Sequence, residues 1–295
     1  MASRPTAHRA RKRFGQNFLR DPGIISRIVR SIGARPGDRV VEIGPGQGAL
    51  TEPLLDSTEG RLEVIELDRD LIPGLRVQFF RHENFVIHEG DALKMDYVAL
   101  RGEGQPLRVV GNLPYNISTP LISHLLRAGD AVQDMHFMLQ KEVVDRLAAP
   151  PGGGERGRLS VLAQYFCDVE ALFVVPPEAF VPRPKVDSAI VRMTPRALRG
   201  LEATDEALLF DVVREAFGQR RKTLRNNLKG RISGDALEAL GIDPGRRPQT
   251  LTVDEFVTIA NAVAEMRGPS GIEIGDIEAS GIETRDRGTD EEGEA

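Results

Sequence analysis

Between residues 38 and 140 the chain alternates short β-branched runs with helical patterns, and this alternation restricts its fold more than any other feature. Residues 38–44 read as a strand and 49–56 as a helix. Residues 61–68 form a second strand, followed by a helix that ends near Phe80. Residues 84–91 and 107–112 are the third and fourth strands. A helix over 118–128 then precedes a fifth strand, 131–140. Strands separated by helices of this length build a parallel sheet with helices on both faces. The near-continuous apolar character of these strands fits burial on both sides. The expectation is an α/β, Rossmann-like sheet.

The rest of the chain divides around that unit. Residues 150–154, two prolines and three glycines, read as a flexible loop. A helix over 159–166 and strands over 170–175 and 188–193 follow, the strands parted by the proline-rich loop 176–184. Thr194 and Pro195 mark a boundary, and residues 205–266 are helical in pattern throughout. Four segments result: a basic arm 1–13, a catalytic unit 14–195, a small all-helical unit 196–267, and a tail 268–295. The tail is rich in Gly, Glu and Asp with few large apolar groups, a composition expected to stay disordered.

The net charge of -5 hides a segregation. From Arg267 to Ala295 there are nine acids against three bases, so the remainder is close to neutral. Residues 1–30 hold eight bases and one acid, and residues 214–231 hold seven bases and one acid. Two basic blocks on a near-neutral body suit a polyanionic partner. The single cysteine, Cys167, excludes an intrachain disulfide framework, and the five histidines are scattered, so no metal site is expected. No apolar run is long enough to span a bilayer, and the N-terminus lacks an apolar signal region. A cytoplasmic protein without membrane partners is the expectation, with a monomer as the default state.

The chemistry concentrates at strand ends. Glu42-Ile43-Gly44-Pro45-Gly46-Gln47-Gly48 follows a strand and precedes a helix. Glycines there let the backbone turn sharply and approach a ligand. Glu66 ends the next strand, where a carboxylate can accept from both ribose hydroxyls. Asp91 ends the third, where it can accept from an adenine amine. An adenosine site alone leaves a nicotinamide dehydrogenase and a methyltransferase both open. The spacing G-x-G-x-G, preceded by an acid, favours a cationic ligand such as S-adenosylmethionine over a diphosphate. The fourth strand ends in Asn112-Leu113-Pro114-Tyr115. An amide oxygen and the Leu113 carbonyl can each accept one N–H of an exocyclic base amine, drawing its delocalised lone pair toward a methyl donor. Pro114 fixes the turn and Tyr115 offers a stacking face. Such a site works by positioning and electrostatic complementarity.

Taken together, residues 14–19 (Phe-Gly-Gln-Asn-Phe-Leu), 42–48, 112–115 and 180–188 (Phe-Val-Pro-Arg-Pro-Lys-Val-Asp-Ser) resemble the small-subunit (16S) rRNA adenine dimethyltransferase family. Residues 217–228 are similar to its KsgA-type branch. The resemblance runs from about Arg11 to Met266. It implies an S-adenosylmethionine-dependent fold with a small helical C-terminal unit. Asn17 and Leu19 would close over the cofactor, Gly44 would lie under its methionine portion, Glu66 would hold its ribose and Asp91 its adenine. Asn112 would sit beside methyl donor and target amine, with Leu113 and Pro114 completing the turn. Tyr115 and Phe180 would sandwich the target adenine. The implied reaction places two methyl groups on each of two adjacent adenosines in the 3′-terminal hairpin loop of small-subunit rRNA, within an immature 30S particle, without a metal.

The physics of the substrate agrees, since a purine amine is reached only in a loop or after flipping. Arg11, Lys12 and Arg13 of the arm, and Arg220, Arg221, Lys222 and Arg225, are the expected phosphate contacts. Beside the nicotinamide dehydrogenase, two other readings remain open from sequence. One is methylation of large-subunit rRNA, as in antibiotic-resistance relatives. The other is a ribosome-assembly or transcription factor that kept the fold and lost catalysis.

Overall fold

The computed structural model of the chain describes residues 17–114, 117–196 and 200–267. A short strand, β1 (Phe18–Leu19), leads into α1 (Pro22–Ile32). Asp21 starts this helix by accepting the Ile24 N–H at 2.9 Å, and Pro22 presets the first turn. Gly33 stops it at φ +60°, a left-handed cap that suits glycine. No helix is expected here from the sequence, where the density of Arg reads as a charged arm. The apolar positions Ile28 and Ile32 nevertheless form one buried stripe.

The alternating unit follows: β2 (Arg39–Ile43), α2 (Thr51–Ser57), β3 (Leu62–Glu66), α3 (Ile72–Gln78), β4 (Phe85–Glu89), α4 (Tyr97–Arg101) and β5 (Leu107–Asn112). Then come α5 (Ser118–Leu126), β6 (Val132–Gln140), α6 (Lys141–Ala148), α7 (Arg158–Phe166), β7 (Cys167–Val175), β8 (Phe180–Val181) and β9 (Ser188–Pro195). The five expected strands of this unit are present, with ends within one or two residues. Helices α4 and α6 were not expected.

The main sheet has seven strands in the order β4-β3-β2-β5-β6-β9-β7. From β4 to β6 every pairing is parallel, whereas β9 pairs antiparallel with both β6 and β7. The five alternating strands are parallel as expected, and the two later strands, for which the sequence indicates no direction, make the sheet mixed. No crossover helix separates β7 from β9, so the chain returns beside itself in the opposite sense. β1 and β8 form a separate antiparallel ribbon, with Leu19 opposite Phe180.

Side chains alternate across each strand and so supply two faces. On one face, Val41, Val109 and Phe137 pack with Leu121 of α5 and Val144 of α6. On the other, Val40, Val64 and Val110 pack with Ile28 of α1, Leu54 of α2 and Leu75 of α3. A third core joins the C-terminal helices α8 (Glu206–Ala216), α9 (Leu224–Asn227), α10 (Gly234–Ala239) and α11 (Val253–Arg267). That core also includes Val161 and Tyr165 of α7.

Two loops differ from expectation. The loop at 150–154, read as flexible, is tied to the C-terminal helices: Gly152 N–H donates to Gln249 O at 2.7 Å, and the Arg220 guanidinium donates to Gly154 O. Residues 221–223, expected to open a helix over 221–228, belong instead to the loop between α8 and α9. Asn227 holds it by donating from Nδ2 to the carbonyls of Ala216 at 2.6 Å and Gln219 at 3.2 Å.

Candidate active site

The strand order reverses between β2 and β5, because β2 has β3 on one side and β5 on the other. Ligands in open α/β sheets settle at such a switch point, outside the C-terminal strand ends. A cavity of about 390 Å³ lies there. Ile43, Glu66 and Asn112, the last residues of β2, β3 and β5, line it together with Asp91, two residues beyond β4.

The glycine turn forms one wall. Gly44, Gly46 and Gly48 have φ of +65°, +60° and +82°, which L side chains rarely adopt. At Gly48 space is short as well, since a Cβ would lie 2.9 Å from the Phe79 ring. Gly46 N–H donates to Glu66 Oε2 at 3.2 Å, and Asp68 N–H donates to Glu66 Oε1 at 2.8 Å. Burial raises the Glu66 carboxyl above the usual range, and the hydrogen bonds from Asp68 and Gly46 oppose that rise. Two amides thus fix the carboxylate plane, and each oxygen keeps accepting capacity for a hydroxyl pair.

Glu42 lies beneath the turn with 2% exposure, and Thr51 Oγ1 donates to its Oε2 at 2.6 Å. Burial pushes its carboxyl up to about 7; the Thr51 bond opposes the rise and the neighbouring Glu66 adds to it. No cationic side chain is bonded to Glu42 or Glu66 among the described residues. Two buried acids without counter-charge disfavour a diphosphate and favour a ligand that carries positive charge. Helix α2 has only seven residues and offers little dipole to an anion. The donor set therefore fits an adenosine with a cationic tail. Asp91 Oδ1 accepts from Leu93 N–H at 3.0 Å, which orients the carboxylate at the cavity edge.

Asn112, Leu113 and Pro114 line the opposite end of the cavity. Asn112 Nδ2 donates to the Asn17 carbonyl at 3.0 Å, so Oδ1 is the end of the amide left to accept. Leu113 N–H is bound to Met138 O at 3.2 Å, and the Pro114 carbonyl accepts from Ile117 N–H at 3.1 Å, closing the turn.

Of the residues expected from sequence, Asn17, Leu19, Gly44, Glu66, Asp91, Asn112, Leu113 and Pro114 line this one cavity. Phe180 does not. It is 3% exposed and packed in the core as part of the β1–β8 ribbon, against the expectation that it stacks on the target adenine. A ring beside Leu19 at that register gains more from burial than from exposure. Tyr115 lies outside the described residues, as do Arg11, Lys12, Arg13 and the acidic tail. Arg220, Arg221, Lys222 and Arg225 are exposed at the α8–α9 loop and do not line the cavity; Arg225 pairs with Glu238 at 3.4 Å. Sequence reasoning missed Thr51, whose hydroxyl holds Glu42. A Thr opening the helix after a glycine turn was the available signal.

A family model described as ribosomal RNA adenine dimethylase matches residues 7–265. A protein named ribosomal RNA small subunit methyltransferase A from Chromohalobacter salexigens is 69% identical over 269 residues, covering 90% of this chain and 95% of the relative. The protein of the same name from Pseudomonas aeruginosa is 62% identical, covering 88% and 97%. Among solved structures, a dimethyladenosine transferase from Plasmodium falciparum superposes with a TM-score of 0.71 at 26% identity, covering 82% of this chain and 95% of that one. The 23S rRNA methyltransferase ErmE does so with 0.67 at 26% identity, covering 84% and 99%. With the match spanning both the glycine turn and the Asn112 turn, the chain belongs to the ribosomal RNA adenine dimethylase family.

Proposed function

We propose that this enzyme transfers methyl groups from S-adenosylmethionine to small-subunit (16S) rRNA, placing two on the exocyclic amine of each of two adjacent adenosines in the 3′-terminal hairpin loop. The observation that carries the reading is the single cavity that joins Glu66 and Asp91 at one end to Asn112, Leu113 and Pro114 at the other. The high identity to small-subunit methyltransferases favours that subunit over the large one that ErmE acts on.

Glu66 would accept from the ribose hydroxyls of the cofactor, Asp91 from its adenine amine, and Gly44 would pass under its methionine portion, with Asn17 and Leu19 covering it. Glu42 supplies negative charge beneath the turn. When bound, S-adenosylmethionine supplies the activated methyl group. Asn112 Oδ1 and the Leu113 carbonyl accept the two N–H groups of the target amine, which localises its lone pair and directs it. Tyr115 is the proposed stacking ring.

We further assign residues 14–195 to catalysis and residues 196–267 to contact with rRNA, through Arg220, Arg221, Lys222 and Arg225 together with Arg11, Lys12 and Arg13. The partner is an immature 30S particle in the cytoplasm, engaged by a monomer. The reaction needs no metal. The test is incubation of the full chain with labelled methyl donor and unmethylated small subunits, followed by nucleoside analysis. Dimethyladenosine in small-subunit rRNA is expected, and the Asn112→Ala variant is expected to lose it. Label confined to large-subunit rRNA, or full activity in Asn112→Ala, would overturn the reading.

A further inference from the structure

We infer that Phe18 is a positioning residue for the Asn112 amide, and that through Phe18 the glycine turn sets which end of that amide serves the target. The inference rests on the reading of Asn112 as the acceptor of the target amine. A primary amide carries a donor and an acceptor on one planar group, and a half-turn about its last torsion exchanges them. An –NH2 directed at another –NH2 offers no hydrogen bond, so the exchanged orientation would be unproductive.

The device that prevents this exchange is visible. Nδ2 of Asn112 donates to the main-chain carbonyl of Asn17 at 3.0 Å. The acceptor is backbone, so no substitution at residue 17 removes it; what matters is what holds the backbone there. The next residue, Phe18, begins β1 and stands opposite Val181 in the ribbon. Its ring packs onto the glycine turn: a Cβ at Gly46 would lie 3.2 Å from both Cδ1 and Cε1 of Phe18. Gly46 in turn donates its N–H to Glu66. Downstream, Arg20 N–H donates to Ala179 O at 2.8 Å, and the Arg20 guanidinium donates to the Gln47 side chain within the same turn. The strand is thus clamped between turn and ribbon, with the Asn17 carbonyl at its start. A continuous path runs from the proposed ribose carboxylate through Gly46, Phe18 and Asn17 to the amide that meets the target.

The truncation Phe18→Ala removes the ring from Gly46 and frees the Asn17 carbonyl to move. The Asn112 side-chain amide is observed by 15N–1H spectroscopy of the full chain without substrate, its signal assigned by its absence in Asn112→Ala. In the parent protein one amide proton should be shifted downfield and protected from exchange. In Phe18→Ala both protons should move to the solvent-exposed range. In parallel kcat should fall about 100-fold, while KM for small-subunit particles changes by no more than about threefold. Phe18→Leu, which keeps an apolar wedge, should recover most of both signals. An unchanged Asn112 signal in Phe18→Ala would overturn the inference. That includes the case where S-adenosylmethionine affinity and kcat fall together by one factor, which would make Phe18 a cofactor contact alone. The spectrum is read without methyl transfer, whereas retained activity in Asn112→Ala would sink the underlying reading instead.

Discussion

Glu42 shows how a single buried acid links cofactor chemistry to stability. Its carboxyl is raised from the usual 4.5 to about 7, chiefly by burial. Between those two values the folded chain holds a proton that the unfolded chain has released, so this group's contribution falls as pH rises through about 7. For a group with 2% exposure the full loss is about 3 kcal/mol. Glu42→Gln removes the titrating group and keeps the shape. The variant should match the parent in thermal midpoint near pH 4.5 and exceed it at pH 8, while its affinity for a cationic cofactor falls. A constant difference between the two proteins from pH 4.5 to 8 would contradict this. The sequence displayed Glu42, Glu66, Asp91 and Asn112 because each stands at a strand end, and strand ends are legible from periodicity. It did not display the fate of Phe180. Whether an aromatic between prolines faces a cavity or a core depends on which strand pairs with it, and β1 comes from residues more than a hundred positions away.

At the scale of elements, the close approach of β2 and β5 sets where Asn112 stands. Gly111 immediately precedes it, opposite Ile43 on β2 and Phe137 on β6. A Cβ at Gly111 would lie 2.6 Å from the Ile43 carbonyl oxygen, which is backbone within a sheet and has little room to give. Glycine in a strand interior marks such an approach. Gly111→Ala should therefore lower the unfolding free energy by about 2 kcal/mol in urea melts, through strain rather than lost contact. It should also depress methyl transfer by displacing Asn112, while leaving β3 and β4, and so binding at Glu66, largely intact. The strands themselves were legible from β-branched runs, and so was their burial on both faces. The antiparallel course of β9 was not, because strand polarity depends on the connection, and the 176–184 loop gives no periodic signal. Helix α1 had the caps Asp21 and Gly33 and a buried stripe, signals that the concentration of Arg masked.

For the whole molecule, the question is how the sheet and the C-terminal helices act on one substrate. Their cores meet at α7, and beside it stands Arg156 with 1% exposure. Its Nε donates to Leu251 O at 3.2 Å, before α11, and its Nη1 donates to Ala149 O at 2.7 Å, after α6, and to Gln164 Oε1 at 2.8 Å, on α7. Its partners are the oxygens of Leu251, Ala149 and Gln164 rather than a carboxylate, and burial lowers its pKa. A guanidinium in that position is costly by itself, and its contacts through Nε and Nη1 offset part of the cost while Nη2 is buried without a partner. Those contacts draw together the end of α6, the middle of α7 and the entry to α11. The same loop carries Gly154, which accepts from the Arg220 guanidinium, so one of the expected phosphate contacts is held from here too. Composition could announce a basic surface but not this joint, since a lone Arg after three glycines reads as solvated. Arg156→Ala should cost about 3 kcal/mol by opening a buried gap and removing the donor to Leu251 O and to Gln164 Oε1, Ala149 O keeping its bond from Gln164 Nε2. The loss should be local if Arg156 is the joint. Hydrogen exchange should show protection falling in α8 and α11 while β2 and β5 keep theirs, and the variant should retain S-adenosylmethionine affinity but bind small-subunit particles more weakly. Equal loss of protection in β5 and α11 would mean instead that the cores open as one unit and that Arg156 stabilises the fold without setting the angle between its parts.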